Sequence, residues 1–323
     1  MRKSIPPLAV LAAVGCGYLG EPLPPLANVP GRVTDLNVVQ RGSRLIAQFT
    51  VPRLTTEGVA IKPRLQLDLR AGPGGEPFQE DAWAAGAQKV PEGPIEGGIA
   101  RYEIPSAEWT RKGVVLGVRA IGANGKSSGW SNFVTVPVIE PPEIPADPRA
   151  ENTASGVRLT WRASGNQFRI FRRTGDEPYL PVATAPEPPW TDGTTQFGQR
   201  YSYQLQSIVK LADNREAQSE LSAEIGITPE DTFPPAVPSG VRASEAPDSI
   251  ELTWDRNPEA DFAGYRVYRA APGGPLEKIA ELEIPTYSDR NIEHGKTYRY
   301  ELSAFDRVGN ESPHSAPVEV AFP

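Results

Sequence analysis

Apolar and polar residues alternate with a period of two through most of the chain. The stretch IELTW places Ile250, Leu252 and Trp254 on one face, and YRYELSA, which starts at Tyr298, repeats the alternation. Successive side chains of a β-strand point to opposite faces, so this pattern predicts strands with one buried face. Gly and Pro separate these segments, and none of them shows a sustained 3.6-residue period with helix caps. The sequence therefore predicts an all-β chain.

Two copies of one strand pattern fill the second half of the chain. VRLTW at 157–161 matches IELTW at 250–254, and GQRYSYQLQS from Gly198 matches GKTYRYELSA from Gly295. FRIFRR, which starts at Phe168, matches YRVYRA in the same order. Self-similarity of this kind predicts repeated structural units. Each copy is about 90 residues long, a normal length for a β-sandwich module.

These repeats resemble the fibronectin type III domain. The resemblance rests on a proline-led first strand, a tryptophan that ends the second strand and Gly-x-x-Tyr-x-apolar on the sixth. It implies that Trp161 and Trp254 are core residues. It also implies that Tyr201 and Tyr298 form tyrosine corners, in which the ring fills the sandwich edge and the hydroxyl bonds to the backbone.

Residues 31–138 are predicted to be a diverged third copy of the same sandwich. The order of strands fits, but Phe49 stands at the tryptophan position and Val114 at the tyrosine-corner position. A glycine-rich insertion occupies 71–98. The predicted fold class is thus all-β, with tandem immunoglobulin-like (fibronectin type III) β-sandwiches joined by proline-rich linkers, IEPPEIP and PEDTFPPAVP.

The start of the chain has the layout of a secretory signal peptide. Arg2 and Lys3 precede a short apolar run, and small residues follow it up to Cys16, the only cysteine. The ending Ala13–Cys16 resembles the lipobox of bacterial lipoproteins. That resemblance implies cleavage before Cys16, a diacylglycerol thioether on its sulfur and an acyl chain on its amino group. A non-lipidated signal peptide, or a cytosolic start with a buried thiol, is the alternative.

Five parts make up the predicted organisation. They are a lipoprotein signal peptide at 1–15, the lipidated cysteine and a Pro-rich tether at 16–30, a diverged fibronectin type III-like sandwich at 31–138, and fibronectin type III domains at 146–229 and 235–323. Acyl chains on Cys16 are predicted to anchor the chain in a membrane. By resemblance to the sorting rule of diderm bacteria, Gly17 favours the outer membrane. The side of the membrane on which the sandwiches sit is left open.

Composition excludes several function classes. A formal net charge of −7 argues against a nucleic-acid binder, which needs basic residues to neutralise phosphates. The chain has two histidines, His294 and His314, and both fall in turn-like segments. No catalytic residue, cofactor site or metal site is predicted, because no cluster of nucleophile, base or metal ligands is present in the sequence.

Three features invite a second interpretation. The acidic loop Asp255–Asp261 offers alternating oxygen ligands for Ca²⁺, although it lacks the EF-hand pattern and also suits a solvated connection. Trp83 is the best candidate for an exposed aromatic that could stack on a sugar or a partner, although packing is the favoured interpretation. In FRIFRR and YRVYR, the alternation predicts rings in the core and guanidinium groups outside.

The predicted function is that of a non-enzymatic, membrane-anchored envelope lipoprotein, whose tandem sandwiches act as a protein-interaction scaffold or a spacer. One alternative is a carbohydrate-binding or adhesive surface protein that uses the first sandwich. Another is an accessory subunit of an envelope enzyme or secretion complex. The predicted partners are a membrane, through the lipid anchor, and an unidentified protein or polysaccharide. Fold alone does not decide among these functions.

Overall fold

The computed structural model describes residues 28–61, 65–163, 167–211 and 215–323. The chain divides into two compact units. The first comprises residues up to Pro141 together with Lys210–Gln218, and the second comprises Pro142–Val209 with Ser219–Pro323.

Strands form almost all of the regular structure in the described residues. In residues 28–141 they are β1 (Asn37–Arg41), β2 (Arg44–Thr50), β3 (Gln66–Pro73), β4 (Gln88–Lys89), β5 (Ile95–Glu96), β6 (Ile99–Pro105), β7 (Gly113–Ile121) and β8 (Val134–Pro137). This part also holds helix α1 (Glu80–Gly86) and a 3₁₀ turn (Ala107–Trp109). The next strands are β9 (Ala146–Thr153), β10 (Gly156–Arg162), β11 (Phe168–Thr174), β12 (Leu180–Ala185), β13 (Trp190–Asp192), β14 (Tyr201–Lys210), β15 (Glu216–Gln218) and β16 (Ile225–Ile227). The last are β17 (Arg242–Ala246), β18 (Ser249–Thr253), β19 (Phe262–Ala270), β20 (Leu276–Leu282), β21 (Thr286–Asp289), β22 (Lys296–Asp306) and β23 (Val318–Phe322).

The first unit contains a sandwich of two antiparallel sheets. One sheet has the order β1-β2-β6-β5, and the other has the order β4-β3-β7-β8. Strand β15, which belongs to this unit, pairs in parallel with β1 and aligns Gln40 with Ala217 and Arg41 with Gln218. Ala217 is fully buried there. The edge of β1 is therefore covered, as the edges of sheets in soluble proteins often are.

The second unit contains two sandwiches with one topology. In the first of them β9-β10-β13 faces β12-β11-β14-β16, and in the second β17-β18-β21 faces β20-β19-β22-β23. A three-stranded sheet packed on a four-stranded sheet in this order is the fibronectin type III arrangement. The sandwich of the first unit follows the same order, which confirms the predicted fold class. The boundaries proposed for the five parts stay predictions, and residues 1–27 lie outside the described residues.

Each sandwich buries the inward-facing positions of both sheets, as the period of two predicts. Phe49 and Tyr102 stack in the first core with ring centroids 5.8 Å apart. In the other two cores, Trp161 meets the edge of Phe168 at 5.2 Å and Trp254 meets Tyr265 at 5.1 Å. Aromatic pairs in such geometries add to the free energy gained by burying their area.

Candidate functional site: buried polar networks and an aromatic face

The predicted lipid-attachment residue, Cys16, lies outside the described residues. The anchor, its thioether and the cleavage site therefore stay predictions from the sequence. Within the described residues, none of the helices combines the length and hydropathy needed to cross a membrane.

The two predicted core tryptophans lie between the sheets of their sandwiches. Trp161 is 5% exposed and Trp254 is 6% exposed. Trp161 is the last but one residue of β10 and Trp254 directly follows β18, and each contacts an aromatic ring of the third strand of its sandwich. Their role is to fill the core, which leaves no ring face open to a ligand.

Tyr201 and Tyr298 are buried, and each hydroxyl accepts a hydrogen bond from the backbone a few residues upstream. The donors are the amide of Gln196, at 3.0 Å, and the amide of Glu293, at 2.8 Å. Gly198, which lies between Gln196 and Tyr201, has a φ of 77°, a conformation that favours glycine. The same conformation recurs in the third sandwich, so the Gly-x-x-Tyr spacing has a local structural cause.

A buried polar network, which sequence reasoning missed, lies next to the corner tyrosine of the second sandwich. Asp192 ends β13 and is 3% exposed. Its Oδ2 accepts hydrogen bonds from Arg172 at 2.7 Å and from the hydroxyl of Tyr203 at 2.9 Å. Its Oδ1 accepts from the amide and hydroxyl of Thr194, at 3.0 and 2.7 Å. The carboxylate is thus fully paired inside its own sandwich, as a buried charge must be.

The pKa values of this network agree with its geometry. Burial raises the pKa of Asp192, but hydrogen bonds from Thr194 and Arg172 outweigh burial, so the pKa lies below its usual range. Burial also raises the pKa of Tyr203, and the negative charge of Asp192 raises it further. The tyrosine therefore stays a neutral donor and the aspartate a charged acceptor across the physiological pH range.

The third sandwich repeats the network at the matching positions. Oδ2 of Asp289, which is 1% exposed, accepts from Arg269 at 2.8 Å and from the hydroxyl of Tyr300 at 2.8 Å. Oδ1 accepts from the amide of Asn291 at 3.0 Å. The guanidinium of Arg269 also lies 5.4 Å from the ring centroid of the corner residue Tyr298. WTD and YSD, the sequence segments that supply the aspartates, were the signal that could have revealed the network.

The prediction that the arginines of FRIFRR and YRVYR all point outward is wrong. Arg172 lies on the same face of β11 as Phe168 and Ile170, which are fully buried. Arg269 likewise shares a face of β19 with Tyr265 and Val267. A partner across the core makes these two inward positions possible, because the buried aspartate neutralises each guanidinium.

Other arginines of the same strands do point outward, where they pair with glutamates. Arg173 contacts Glu224 at 2.9 Å. In the third sandwich, Arg266 contacts Glu281 at 3.0 Å and also bonds to Glu311. These pairs belong to the outer sheet face, and partly exposed pairs of this kind contribute little to stability.

The acidic loop that follows Trp254 is joined by hydrogen bonds to the linker that precedes the third sandwich. Asp255 accepts from the hydroxyl of Ser239 at 2.9 Å, and Glu259 accepts from the amide of Ala236 at 2.7 Å. The side chain of Asn257 donates to the carbonyl of Ala236 at 2.8 Å. Asn257 also donates to Glu259 at 3.1 Å, so each of these three side chains has a hydrogen-bond partner in the described residues.

Asp261, the last residue of that loop, instead approaches Asp231 and Asp306. Carboxylate oxygens of the three residues lie within 4.8 Å of one another. Asp306 is buried, and its Oδ1 accepts from the amides of Val308, Gly309 and Asn310 at 3.0, 2.7 and 2.8 Å. Three carboxylates could contribute to a Ca²⁺ site, which takes six to eight oxygen ligands. The hydrogen bonds of Asp306 account for its position without an ion.

Trp83, the predicted candidate for an exposed ring, is buried. It lies on α1 and packs against the outer face of the β3-β7-β8 sheet, where its ring contacts Trp130 at 5.2 Å and Phe133 at 5.0 Å. Gly117 on β7 makes room for this cluster, because a Cβ there would lie 2.6 Å from Phe133 and 3.2 Å from Trp83. The glycine-rich insertion therefore builds a second, smaller core on the outside of the sheet.

Arginines of the first sandwich flank this small core. The guanidinium of Arg119 lies 4.6 Å from the ring centroid of Trp130 and bonds to Asp68 at 2.8 Å. Arg70 bonds to the same carboxylate at 3.2 Å. Burial raises the pKa of Asp68, but the hydrogen bonds from Arg70 and Arg119 outweigh it and hold the pKa below its usual range.

The exposed aromatic of this region is Phe78, which sequence reasoning did not single out. The residue is 39% exposed, and its ring rests on Phe133, with centroids 4.9 Å apart. Two grooves of about 310 and 540 Å³ adjoin it, and both are lined by Gly74, Gly75 and Phe78. Small-molecule sites have volumes of about 300–1,000 Å³. This face is the candidate ligand site of the first unit.

Comparisons with known proteins give partial matches. No family model matches the chain. Over 199 residues, or 59% of the chain, it is 26% identical to Exoglucanase B of Cellulomonas fimi, of which it covers 18%. Over 96 residues, or 29% of the chain, it is 38% identical to Amylopullulanase of Thermoanaerobacterium saccharolyticum, of which it covers 7%. The chain thus spans less than a fifth of either relative.

Among solved structures, the chain is similar to the FN1–FN3 domains of chicken CNTN1. That comparison covers 90% of this chain and 99% of the other, with 14% sequence identity and a TM-score of 0.28.

Proposed function

We propose that the chain is a non-enzymatic, lipid-anchored envelope protein whose tandem sandwiches act as an interaction scaffold or spacer. The observation that supports this function is the use of the buried carboxylates. Asp68, Asp192 and Asp289 each pair with arginine of their own sandwich. Catalytic carboxylates are usually poised in a cleft where they meet substrate. These three instead accept hydrogen bonds from arginines, within one sheet at Asp68 and between the two sheets of the sandwich at Asp192 and Asp289.

The anchor is proposed to be the acylated Cys16, with the outer membrane of a diderm bacterium as its location. The lipobox-like ending and Gly17 support this proposal. Several acyl chains on one residue bind a bilayer far more tightly than one chain, at about 0.8 kcal/mol per buried methylene. The proline-rich segment that follows would then separate the sandwiches from the lipid surface.

Labelling with radioactive palmitate tests the anchor. We expect label in the wild-type chain and none in Cys16→Ala, because the variant has no thiol to acylate. Ala13→Leu is the matched control: it introduces the commoner lipobox residue and should keep the label. Equal labelling of the wild type and Cys16→Ala would refute the lipoprotein proposal.

The absence of catalysis is tested with the purified chain and the soluble glucans amylose and pullulan. We expect no release of reducing ends above the level of a buffer control. Affinity capture from native membranes with the intact chain then tests the scaffold itself. A partner recovered in stoichiometric amount supports it, whereas release of sugar ends by the purified chain contradicts the non-enzymatic proposal.

A second function, polysaccharide binding by the first sandwich, is proposed on two observations. Two relatives that the chain resembles are an exoglucanase and an amylopullulanase, and the chain covers only a small part of each. The exposed ring of Phe78 with its adjoining grooves offers a binding face. The two functions are compatible, since a scaffold on an envelope could hold a glycan.

A further inference from the structure

We propose that the face around Phe78 binds a neutral glucan, with the Phe78 ring stacked on the apolar face of a sugar ring and the two grooves taking the neighbouring residues. This inference rests on the second proposed function and names its site and ligand class. Its elements are a fixed aromatic ring, a floor without side chains and a nearly uncharged lining.

The ring of Phe78 is both exposed and held in place. It contacts Phe133 at 4.9 Å with planes tilted by 59°, and it lies 6.2 Å from Trp83. Trp83 is itself locked by Trp130 and by helix α1. A ring supported in this way loses little conformational freedom on binding, which favours its use as a stacking platform.

Glycines form the floor of both grooves. A Cβ at Gly74 would lie 3.2 Å from a methyl group of Val115, and the nearest atom to a Cβ at Gly75 is a carbonyl oxygen 4.0 Å away. Both grooves are lined by Gly74, Gly75 and Phe78, so a ligand that occupied both would cross the Phe78 ring.

The charge of the lining favours a neutral ligand. Glu76 is the only charged residue among those that line the two grooves in the described structure, and neither lining includes Lys or Arg. An anionic polymer or a phosphate would meet this carboxylate without a compensating cation. Glu76, Gln79 and Thr135 can instead exchange hydrogen bonds with sugar hydroxyl groups.

Isothermal titration calorimetry of the full chain with maltohexaose and cellohexaose tests the site. We expect one of these neutral glucans to bind and Phe78→Ala to weaken its binding at least tenfold. Phe78→Tyr should bind within about twofold of the wild type, because it keeps the ring. Phe197→Ala is the matched control, since Phe197 is another exposed phenylalanine, 44% exposed, that rests on a second ring. It should bind as the wild type does.

Hydrogen exchange of the wild-type chain with and without the bound hexasaccharide locates the site without a variant. We expect protection of peptides that contain 73–86 and unchanged exchange in residues 146–323. Absence of heat with both glucans overturns the inference, as does equal weakening by Phe78→Ala and Phe197→Ala. If the face instead contacts a captured protein partner and neither glucan, the inference fails while the scaffold function stands.

Discussion

The second and third sandwiches bury charged and polar residues at three matching positions, whereas the first sandwich buries apolar residues there. In the second and third sandwiches, an aspartate of the fifth strand joins an arginine of the third and a tyrosine of the sixth. In the first sandwich, Ile104 lies on the corresponding strand opposite Leu45, as Asp192 lies opposite Val157. Ala71 pairs with Leu116 where Arg172 pairs with Tyr203.

The three positions therefore differ as a set. Ile104, Ala71 and Leu116 are all buried, so the first sandwich replaces a charged pair and a hydroxyl with a fully apolar group. Removal of one member of a buried pair leaves an uncompensated charge, whereas replacement of all members by apolar residues is often neutral. These buried ionisable groups therefore belong to the fold, which supports their structural role in the proposed function.

The largest effect is expected when an aspartate is introduced into the first sandwich without the arginine and tyrosine that accompany it in the other two. Ile104→Asp would bury a carboxylate in an apolar core, where Ala71 stands at the position that matches Arg172 and supplies no cation. We expect the free energy of unfolding of this sandwich to fall by about 4 kcal/mol at neutral pH. Hydrogen exchange of β2 and β7 peptides measures it, with Ile95→Asp, at an exposed isoleucine, as control. A loss below about 1 kcal/mol would show that this site tolerates a charge without its partners.

The converse change removes the aspartate from a repeat. Asp192→Ala leaves Arg172 and Tyr203 without their shared acceptor, and we expect a loss of about 3 kcal/mol in the free energy of unfolding of the second sandwich. Hydrogen exchange of β10 and β14 peptides reports this sandwich, and the third serves as internal reference. Asp176→Ala, at an exposed aspartate, should change little. An equal loss of unfolding free energy in both variants would show that the buried Asp192 stabilises the sandwich no more than an exposed aspartate does.

A smaller effect is expected at the tyrosine corner, which the first sandwich lacks because Val114 holds that position. Tyr201→Phe keeps the buried ring but removes the hydroxyl that accepts from the amide of Gln196. We expect a loss of about 1 kcal/mol, the usual net contribution of one hydrogen bond. Thermal unfolding of the variant measures it, and a neutral result would mean that the ring alone stabilises the corner.

The smallest effect is a pH dependence. Because the folded pKa of Asp192 is lowered, its stabilising contribution is present above the unfolded pKa of about 3.9 and is lost as pH falls through the folded pKa. The wild-type second sandwich should therefore lose protection against hydrogen exchange below about pH 4 more steeply than Asp192→Asn. Parallel acid profiles of the two chains would show that Asp192 does not contribute to this slope.

Much of the fold could be predicted from the sequence because strand periodicity and turn residues are local signals. The alternation around Trp254 and the Gly-x-x-Tyr spacing before Tyr298 each depend on a few neighbouring residues. The same alternation places Phe168, Ile170 and Arg172 on one face, yet arginine was expected outside because its partner is distant in sequence. The pairing of β10 with β13 places Asp192 in the sheet that packs against β11, and there Asp192 accepts a hydrogen bond from Arg172.

The candidate ligand face was harder to predict for a related reason. The sequence signal in this insertion is an isolated tryptophan, Trp83, for which packing is the favoured interpretation and exposure the alternative. Gly117, far along the chain, makes the space that buries this ring. Phe78 is exposed because Trp83 packs beneath it, and no hydrophobic pattern in its own segment indicates that exposure. Exposure at such a site depends on contacts between β7 and α1 that no local window contains.

The structural role of the buried networks is tested most directly by exchanging all three residues at once. The variant Asp192→Ile/Arg172→Ala/Tyr203→Leu gives the second sandwich the apolar set of the first. Hydrogen exchange of β10 and β14 peptides should show a free energy of unfolding within about 1.5 kcal/mol of the wild type and well above that of Asp192→Ala. A triple variant as unstable as Asp192→Ala, or less stable, would contradict the structural role of the Asp192 network.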